Sequence, residues 1–157
     1  MSGPPRQRSV IQLEPVTADN WRQCAAVAVR PDQADFVQPV TYYLCLCSYE
    51  TIWQPLAITR AGTVIGFVMW GIDDDRCRWI GGLTVDVTAQ GSGVGRSVVE
   101  QLRDRFAGDP DCPNVALSYA PANTVARALY ASLGFTETGE TMPGDDELIA
   151  RWTPPGR

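Results

Sequence analysis

Residues 84–102 read TVDVTAQGSGVGRSVVEQL, and this stretch dictates one local geometry. A β-branched run ends, Gly91, Gly93 and Gly95 alternate with Ser92 and Val94, and an amphipathic stretch begins. A strand that passes into a helix through glycines gathers backbone N–H groups and the positive end of a helix dipole at one place, which suits an anion such as a pyrophosphate. The same glycines suit a tight connection with no ligand, and composition alone leaves the two readings level. Two other phosphate loops fail on particular residues. The Walker pattern G-x-x-x-x-G-K-[ST] needs a lysine, and Gly95 is followed by Arg96; the dinucleotide pattern G-x-G-x-x-G meets Arg96 or Val98 where its last glycine should stand.

The chain contains no histidine, and all 13 of its basic residues are arginine. These absences exclude Ser-His-Asp and Cys-His nucleophilic catalysis and Schiff-base chemistry, leaving proton transfer to tyrosine, cysteine, carboxylates or water. Five cysteines, with no C-x-x-C pair, predict neither a disulfide framework nor a metal site. A net charge of −5 speaks against nucleic acid as a partner and fits a small cationic substrate, although an acidic surface also serves solubility. The longest apolar run, VIGFVMW from Val64 to Trp70, is far too short to span a bilayer, and the polar N-terminus lacks the apolar segment of a secretory signal. The expectation is a cytoplasmic protein with no membrane partner. At 157 residues it should form one domain over 9–153, between a flexible arm at 1–8 and a short tail at 154–157.

Hydrophobic periodicity orders the elements. An alternating strand over 9–16 leads to a helix through WRQCAAVAV, with Thr17, Asp19 and Asn20 as candidate caps. A second helical stretch starts at Pro31 and should break at Pro39 into two short helices. PLAITRAG and TVIGFVMWGID predict a hairpin turning at Ala61-Gly62, Asp73 to Asp75 make the next turn, and CRWIGGLTVDV adds a strand in which Gly81-Gly82 mark a bulge or a close backbone approach. Val94, Val98, Leu102 and Phe106 form the buried stripe of a helix that starts at the glycines. NVALSYA is a strand; ANTVARALYASLG is a helix with apolar Val125, Leu129 and Leu133, capped by Gly134; two strands around Pro143-Gly144 finish the chain. The order β-α-α-β-β-β-α-β-α-β-β predicts an α/β (α+β) fold with a mixed, mostly antiparallel sheet flanked by helices.

Gln90, Gly93 and Gly95 match Q/R-x-x-G-x-G/A, and the chain here resembles the acetyl-CoA loop of the GCN5-related N-acetyltransferase (GNAT) family. Asn123, Ala126, Leu129, Tyr130, Gly134 and Phe135 are similar to that family's second helix motif, N-x-x-A-x-x-L-Y-x-x-x-G-F, and the element order agrees from Val10 to Trp152. Within the family, DNWRQCAAVAV, Gln33 with Phe36 and Val37, VIGFVMWG, SYAPANTVA and GFTETGE look like bacterial spermine/spermidine acetyltransferases. The chain departs from that subgroup at VTYYLCLCSYE and at Gly81-Gly82, where the subgroup carries an Asn with a Ser-Leu-Ala stretch and an Arg, on segments that would line the acceptor site.

The resemblance implies direct transfer of an acetyl group from acetyl-CoA to an amine. It implies that Leu83, Thr84 and Val85 hold the pantetheine arm, that Gln90, Gly91, Ser92, Gly93, Val94, Gly95 and Arg96 take the pyrophosphate, and that Asn123 and Ala126 contact the cofactor from the second helix. Tyr130 would protonate the leaving sulfur; its other reading is a core aromatic beside Leu129. For the base, Glu50 and Glu147 are preferred over Asp73 to Asp75, while Asp86 orders the turn before the loop. Cys45 and Cys47 are expected to be buried, inert thiols. The expected acceptor is a small cationic amine, a polyamine among the candidates; an antibiotic amine, a protein N-terminus, or an acyl-CoA-binding sensor without turnover are the alternatives. The aromatics between Tyr42 and Trp53 fit a homodimer interface or an internal acceptor wall equally well.

Overall fold

In the computed structural model, which describes residues 10–157, the central hairpin joins strands β2 (Trp53–Arg60) and β3 (Thr63–Ile72) through Ala61 and Gly62, with φ of 50° and 78°. Two consecutive positive φ values give the two-residue turn whose twist matches the flanking strands. β1 (Ile11–Pro15) adds antiparallel to β2, and β4 (Arg78–Val85) adds antiparallel to β3. The arm expected at 1–8 lies outside the described residues.

Between β3 and β4 the register jumps: Phe67 faces Thr84 while Met69 faces Gly81, so Gly82 and Leu83 share the space opposite Val68. This is the bulge expected at Gly81-Gly82, and it also brings a close approach. Gly82 takes φ +61°, and a Cβ there would lie 3.1 Å from Cγ of Tyr43 and 3.3 Å from Cε1 of Phe67, two rings that stack with an interplanar angle of 5°. Gly82→Ala is therefore expected to destabilise the protein by about 1–3 kcal/mol, through backbone strain and displacement of this stack. Chemical denaturation would show it as a lower midpoint at unchanged slope.

β5 (Val115–Tyr119) runs parallel to β4 but pairs with it only at Arg78↔Val115 and Trp79↔Ala116. Beyond these positions the two strands diverge and leave a wedge in the middle of the sheet. β7 (Leu148–Trp152) and β6 (Thr136–Thr141) complete the seven-stranded order β1-β2-β3-β4-β5-β7-β6. The mixed, mostly antiparallel sheet and its element order are those expected.

Strand alternation divides the core between two faces. Ile58, Val68, Val115 and Leu117 pack against the stripe Val94, Val98, Val99, Leu102 and Phe106 of helix α3 (Val94–Ala107). Ala57, Phe67 and Met69 pack on the other face against Cys24 of α1 (Trp21–Ala25) and Val40, Tyr43 and Leu46 of α2 (Val40–Tyr49). Helix α4 (Thr124–Ser132) begins at its cap Asn123, whose Oδ1 accepts from the Ala126 N–H, and Gly134 with φ +92° turns the chain out of it. Pro154 is buried, and Arg157 donates to the carbonyls of Cys112 and Ala107.

Four local expectations change. The first helix stops at Ala25 instead of running to Val29, because Asp86 Oδ1 accepts the Ala28 N–H and the Ala28 carbonyl accepts from Val87, pulling this backbone onto the turn before the glycine loop. Pro39 does break the next stretch, but its first part is only a 3-10 turn at Pro31–Gln33, with α2 starting at Val40. Val125 is 80% exposed and Cys45 is exposed, so neither belongs to the core; α2 turns Tyr42, Cys45 and Tyr49 outward together. Among the described residues no helix is long and apolar enough to cross a membrane.

Candidate functional site

The wedge between β4 and β5 opens into two adjoining cavities of about 720 and about 570 Å3, which share Phe36, Val37, Leu83, Asn123 and Ala126 in their walls. The smaller one is built on the glycine loop. Gly91 and Gly93 each take φ +79° with nothing within 4 Å of a would-be Cβ, so backbone conformation and not crowding requires glycine there. Among the described residues, the N–H groups of Gly91 to Arg96 meet no acceptor, and the last three of them are the open first turn of α3. Six free donors and the helix dipole at one place are what a pyrophosphate needs, and Arg96 lines the same cavity with its guanidinium donating to Ser132 Oγ at 2.7 Å, so the residues present fit the group. Arg30 also lines this cavity, and Arg60 reaches the loop with a 3.3 Å bond to Ser92 Oγ. Both escape a reading of the sequence, since only the fold brings β2 and the segment after α1 to the loop.

Gln90 lines the smaller cavity, and its side chain is also committed to the fold. Its amide exchanges hydrogen bonds with that of Gln33, at 2.8 and 3.1 Å, and its Nε2 also donates to the Val85 carbonyl at 3.0 Å. The side chain thus clips the segment carrying Phe36 and Val37 to the end of β4. The Asp86 N–H donates to Ile65 on β3, so alternation turns the Val85 N–H and carbonyl toward the wedge. Leu83 and Val85 line the smaller cavity; Thr84 touches it too, but its side chain is buried and its hydroxyl donates to the Gly82 carbonyl. Asp86 orders the turn as expected, its carboxyl held below the usual range chiefly by the Thr88 hydroxyl.

The larger cavity has the opposite chemistry. Its wall carries the carboxylates of Asp35, Asp145, Asp146 and Glu147, the rings of Tyr43, Trp53, Trp79 and Tyr130, and, among the described residues, no arginine. Tyr130 projects from α4 between Tyr119 and Phe135, with ring centroids at 5.5 and 6.2 Å. Its hydroxyl meets no partner among the described residues, and burial, helped by the Glu147 charge, pushes the phenol up to about 12. Burial and the same charge raise the Tyr43 phenol, whose oxygen accepts from the Gln38 N–H. Tyr119 instead donates to Glu137, which Arg127 pairs at 2.6 Å.

The acids expected from sequence part company. Glu147 lines the larger cavity, and its Oε2 accepts from Ser118 Oγ at 2.7 Å. Glu50 lines neither cavity: it is exposed at the C-terminal end of α2, where its N–H caps the Leu46 carbonyl. Asp73 is committed elsewhere, accepting from the N–H groups of Asp75 and Cys77 and from Trp79 Nε1. Asp35, Asp145 and Asp146 were missed, although the run GDDEL beside a predicted turn shows that acids cluster there. Asn123 and Ala126 line both cavities, and Val125 and Leu129 complete the wall of the smaller one; Leu129 also packs against the core, whereas Val125 stands outside it.

Residues 16–135 match the model of the acetyltransferase (GNAT) family. The chain is 27% identical over 153 residues to a spermine/spermidine N(1)-acetyltransferase of Bacillus subtilis, an alignment covering 90% of this chain and 97% of the relative. Its fold resembles that of a spermidine N-acetyltransferase from Vibrio cholerae solved with CoA and spermine, at a TM-score of 0.69 and 16% identity over 90% of this chain and 92% of the other. It also resembles the ribosomal-protein-S18-alanine N-acetyltransferase from Escherichia coli, at a TM-score of 0.70 and 18% identity over 92% and 94%.

Proposed function

The chain belongs to the acetyltransferase (GNAT) family, and from that premise we propose that it acetylates a primary amine of a small cationic acceptor, a polyamine first among the candidates. As an N-acetyltransferase of this family it takes its acetyl group from acetyl-CoA, whose thioester supplies the activated acyl carbon. The observation that carries the acceptor reading is the division of charge across the wedge. Asp35, Asp145, Asp146 and Glu147 line the larger cavity with no arginine among the described residues there, while the smaller one is lined by Arg96 and by Arg30, the latter paired with Asp32 at 3.3 Å, beside the free N–H groups. Carboxylates and aromatic faces attract an organic cation, and a patch of donors and guanidinium groups attracts phosphate.

In this reading the backbone of Leu83, Thr84 and Val85 pairs with the pantetheine arm as an added strand would, and the N–H groups of Gly91 to Arg96 hold the pyrophosphate. Asn123 and Ala126 flank the arm where the cavities meet. An alkylammonium has a pKa of about 10.4, so at neutral pH a base must take its proton before the nitrogen attacks. Glu147 is that base and Glu50 is not. Tyr130 gives its proton to the departing sulfur. The ammonium nitrogen loses two protons in all, one is returned to sulfur, and one is released. The 27% identity to the Bacillus spermine/spermidine enzyme supports a polyamine acceptor.

Calorimetry with acetyl-CoA, followed by thiol release across spermidine, spermine, aminoglycosides and N-terminal peptides, tests this. Turnover with a polyamine is expected. Acetyl-CoA binding without thiol release from any amine would make the protein a sensor, and preference for an aminoglycoside or peptide would replace the acceptor.

A further inference from the structure

We infer that Ser118 is a positioning residue for the base: its hydroxyl fixes the Glu147 carboxylate at the wall of the acceptor cavity. The inference rests on the reading of Glu147 given above. β5 reads Val-Ala-Leu-Ser-Tyr, and Ser118 is the one member of the strand that is not buried. β5 and β7 pair through Ser118↔Ile149 and Tyr119↔Leu148, which brings Glu147, just ahead of β7, alongside the open end of β5. There Ser118 Oγ donates to Glu147 Oε2 at 2.7 Å, the single hydrogen bond of that carboxylate among the described residues.

The backbone of Glu147 is already fixed at both ends. Its N–H donates to Asp145 Oδ1 at 2.9 Å, and its carbonyl accepts from the Met142 N–H at 3.0 Å. What these bonds leave free is the rotation of a three-torsion side chain, and the Ser118 hydroxyl removes that freedom while leaving the second carboxylate oxygen for a proton from the amine. Without it, Glu147 would also turn toward bulk water and away from Tyr130 and Tyr43, whose phenols both sense its charge. Asp145 and Asp146 on the same loop repel it, and among the described residues no arginine lines the cavity wall to attract it.

Ser118→Ala, Ser118→Thr, Glu147→Gln and the double variant S118A/E147Q decide the matter, assayed with spermidine or with whichever amine of the panel the wild type turns over fastest. Ser118→Ala should lower kcat about ten-fold, a part of what a general base contributes, with acetyl-CoA affinity and thermal midpoint unchanged. Ser118→Thr, which keeps the hydroxyl, should restore kcat. In the E147Q background the alanine substitution should have no further effect, because Ser118 acts only through that carboxylate. An equal loss in both backgrounds, no rescue by threonine, or an unchanged kcat in Ser118→Ala would overturn the inference while leaving Glu147 as base. Wild-type turnover by Glu147→Gln, or no turnover of any amine by the wild type, would remove the base reading itself, and the inference with it.

Discussion

Tyr130→Phe is expected to lower kcat about 100-fold at neutral pH, the scale of a lost general acid, while acetyl-CoA affinity stays within a factor of two or so. The reasoning begins with an unsatisfied group. The Tyr130 hydroxyl has no hydrogen-bond partner among the described residues, so deleting it orphans nothing, and the ring keeps its packing against Tyr119 and Phe135. The cost in stability should therefore stay below about 1 kcal/mol, and a large catalytic loss would have no structural origin. The sign of the pH dependence follows from the same environment. A phenol pushed up to about 12 stays protonated, and able to act as an acid, throughout the range in which the protein is assayed. No alkaline limb below about pH 10 should then be assignable to Tyr130. Unchanged turnover in Tyr130→Phe would take the hydroxyl out of the mechanism; a matching fall in thermal midpoint and acetyl-CoA affinity would make it a packing residue.

What could be read from sequence was whatever local chemistry decides. The strand-to-helix connection through Gly91 and Gly93, the helical stripe from Val94 to Phe106 and the Ala61-Gly62 turn each follow from residues a few positions apart, and each is found in the fold. The end of α1 is set instead by Asp86, 58 residues away, which takes the Ala28 N–H; no propensity within WRQCAAVAV contains that bond. Val125 misled for another reason. A helical apolar period identifies a face that wants cover without saying what supplies it, and at α4 the core covers Leu133 and part of Leu129 while Val125 lines a cavity. Glu50 and Glu147 are equivalent as letters, and only the placement of the β6–β7 turn over the wedge separates them. Gln90 shows a motif position whose side chain serves the fold, since its amide is spent on Gln33 and Val85 while the loop's donors come from the following backbone.

Arg78→Ala is expected to destabilise the protein by about 2–4 kcal/mol and to weaken acetyl-CoA binding as well, although Arg78 touches neither cavity. Its side chain is 5% exposed, pairs with Asp109 and donates to the carbonyls of Arg76 and Asp111, while its backbone N–H bonds the Asn114 carbonyl at 3.1 Å. Truncation leaves those carbonyls short of a donor inside the fold and cuts the loop that delivers β5. The surface pair Arg76–Asp111 serves as the comparison: its side chains are 62% and 64% exposed, so Arg76→Ala should cost less than about 1 kcal/mol. The link to binding is geometric. β4 and β5 are paired only at Arg78↔Val115 and Trp79↔Ala116, so this is the apex of the wedge, and its width further along depends on how rigidly the apex is held. Loosening it should reduce the fit of any group lying against Leu83 and Val85, seen in calorimetry as weaker acetyl-CoA binding at temperatures where Arg78→Ala is still folded. Wild-type affinity in a destabilised variant would show instead that the wedge is held from its flanks, by α3 and α4, and not from its apex.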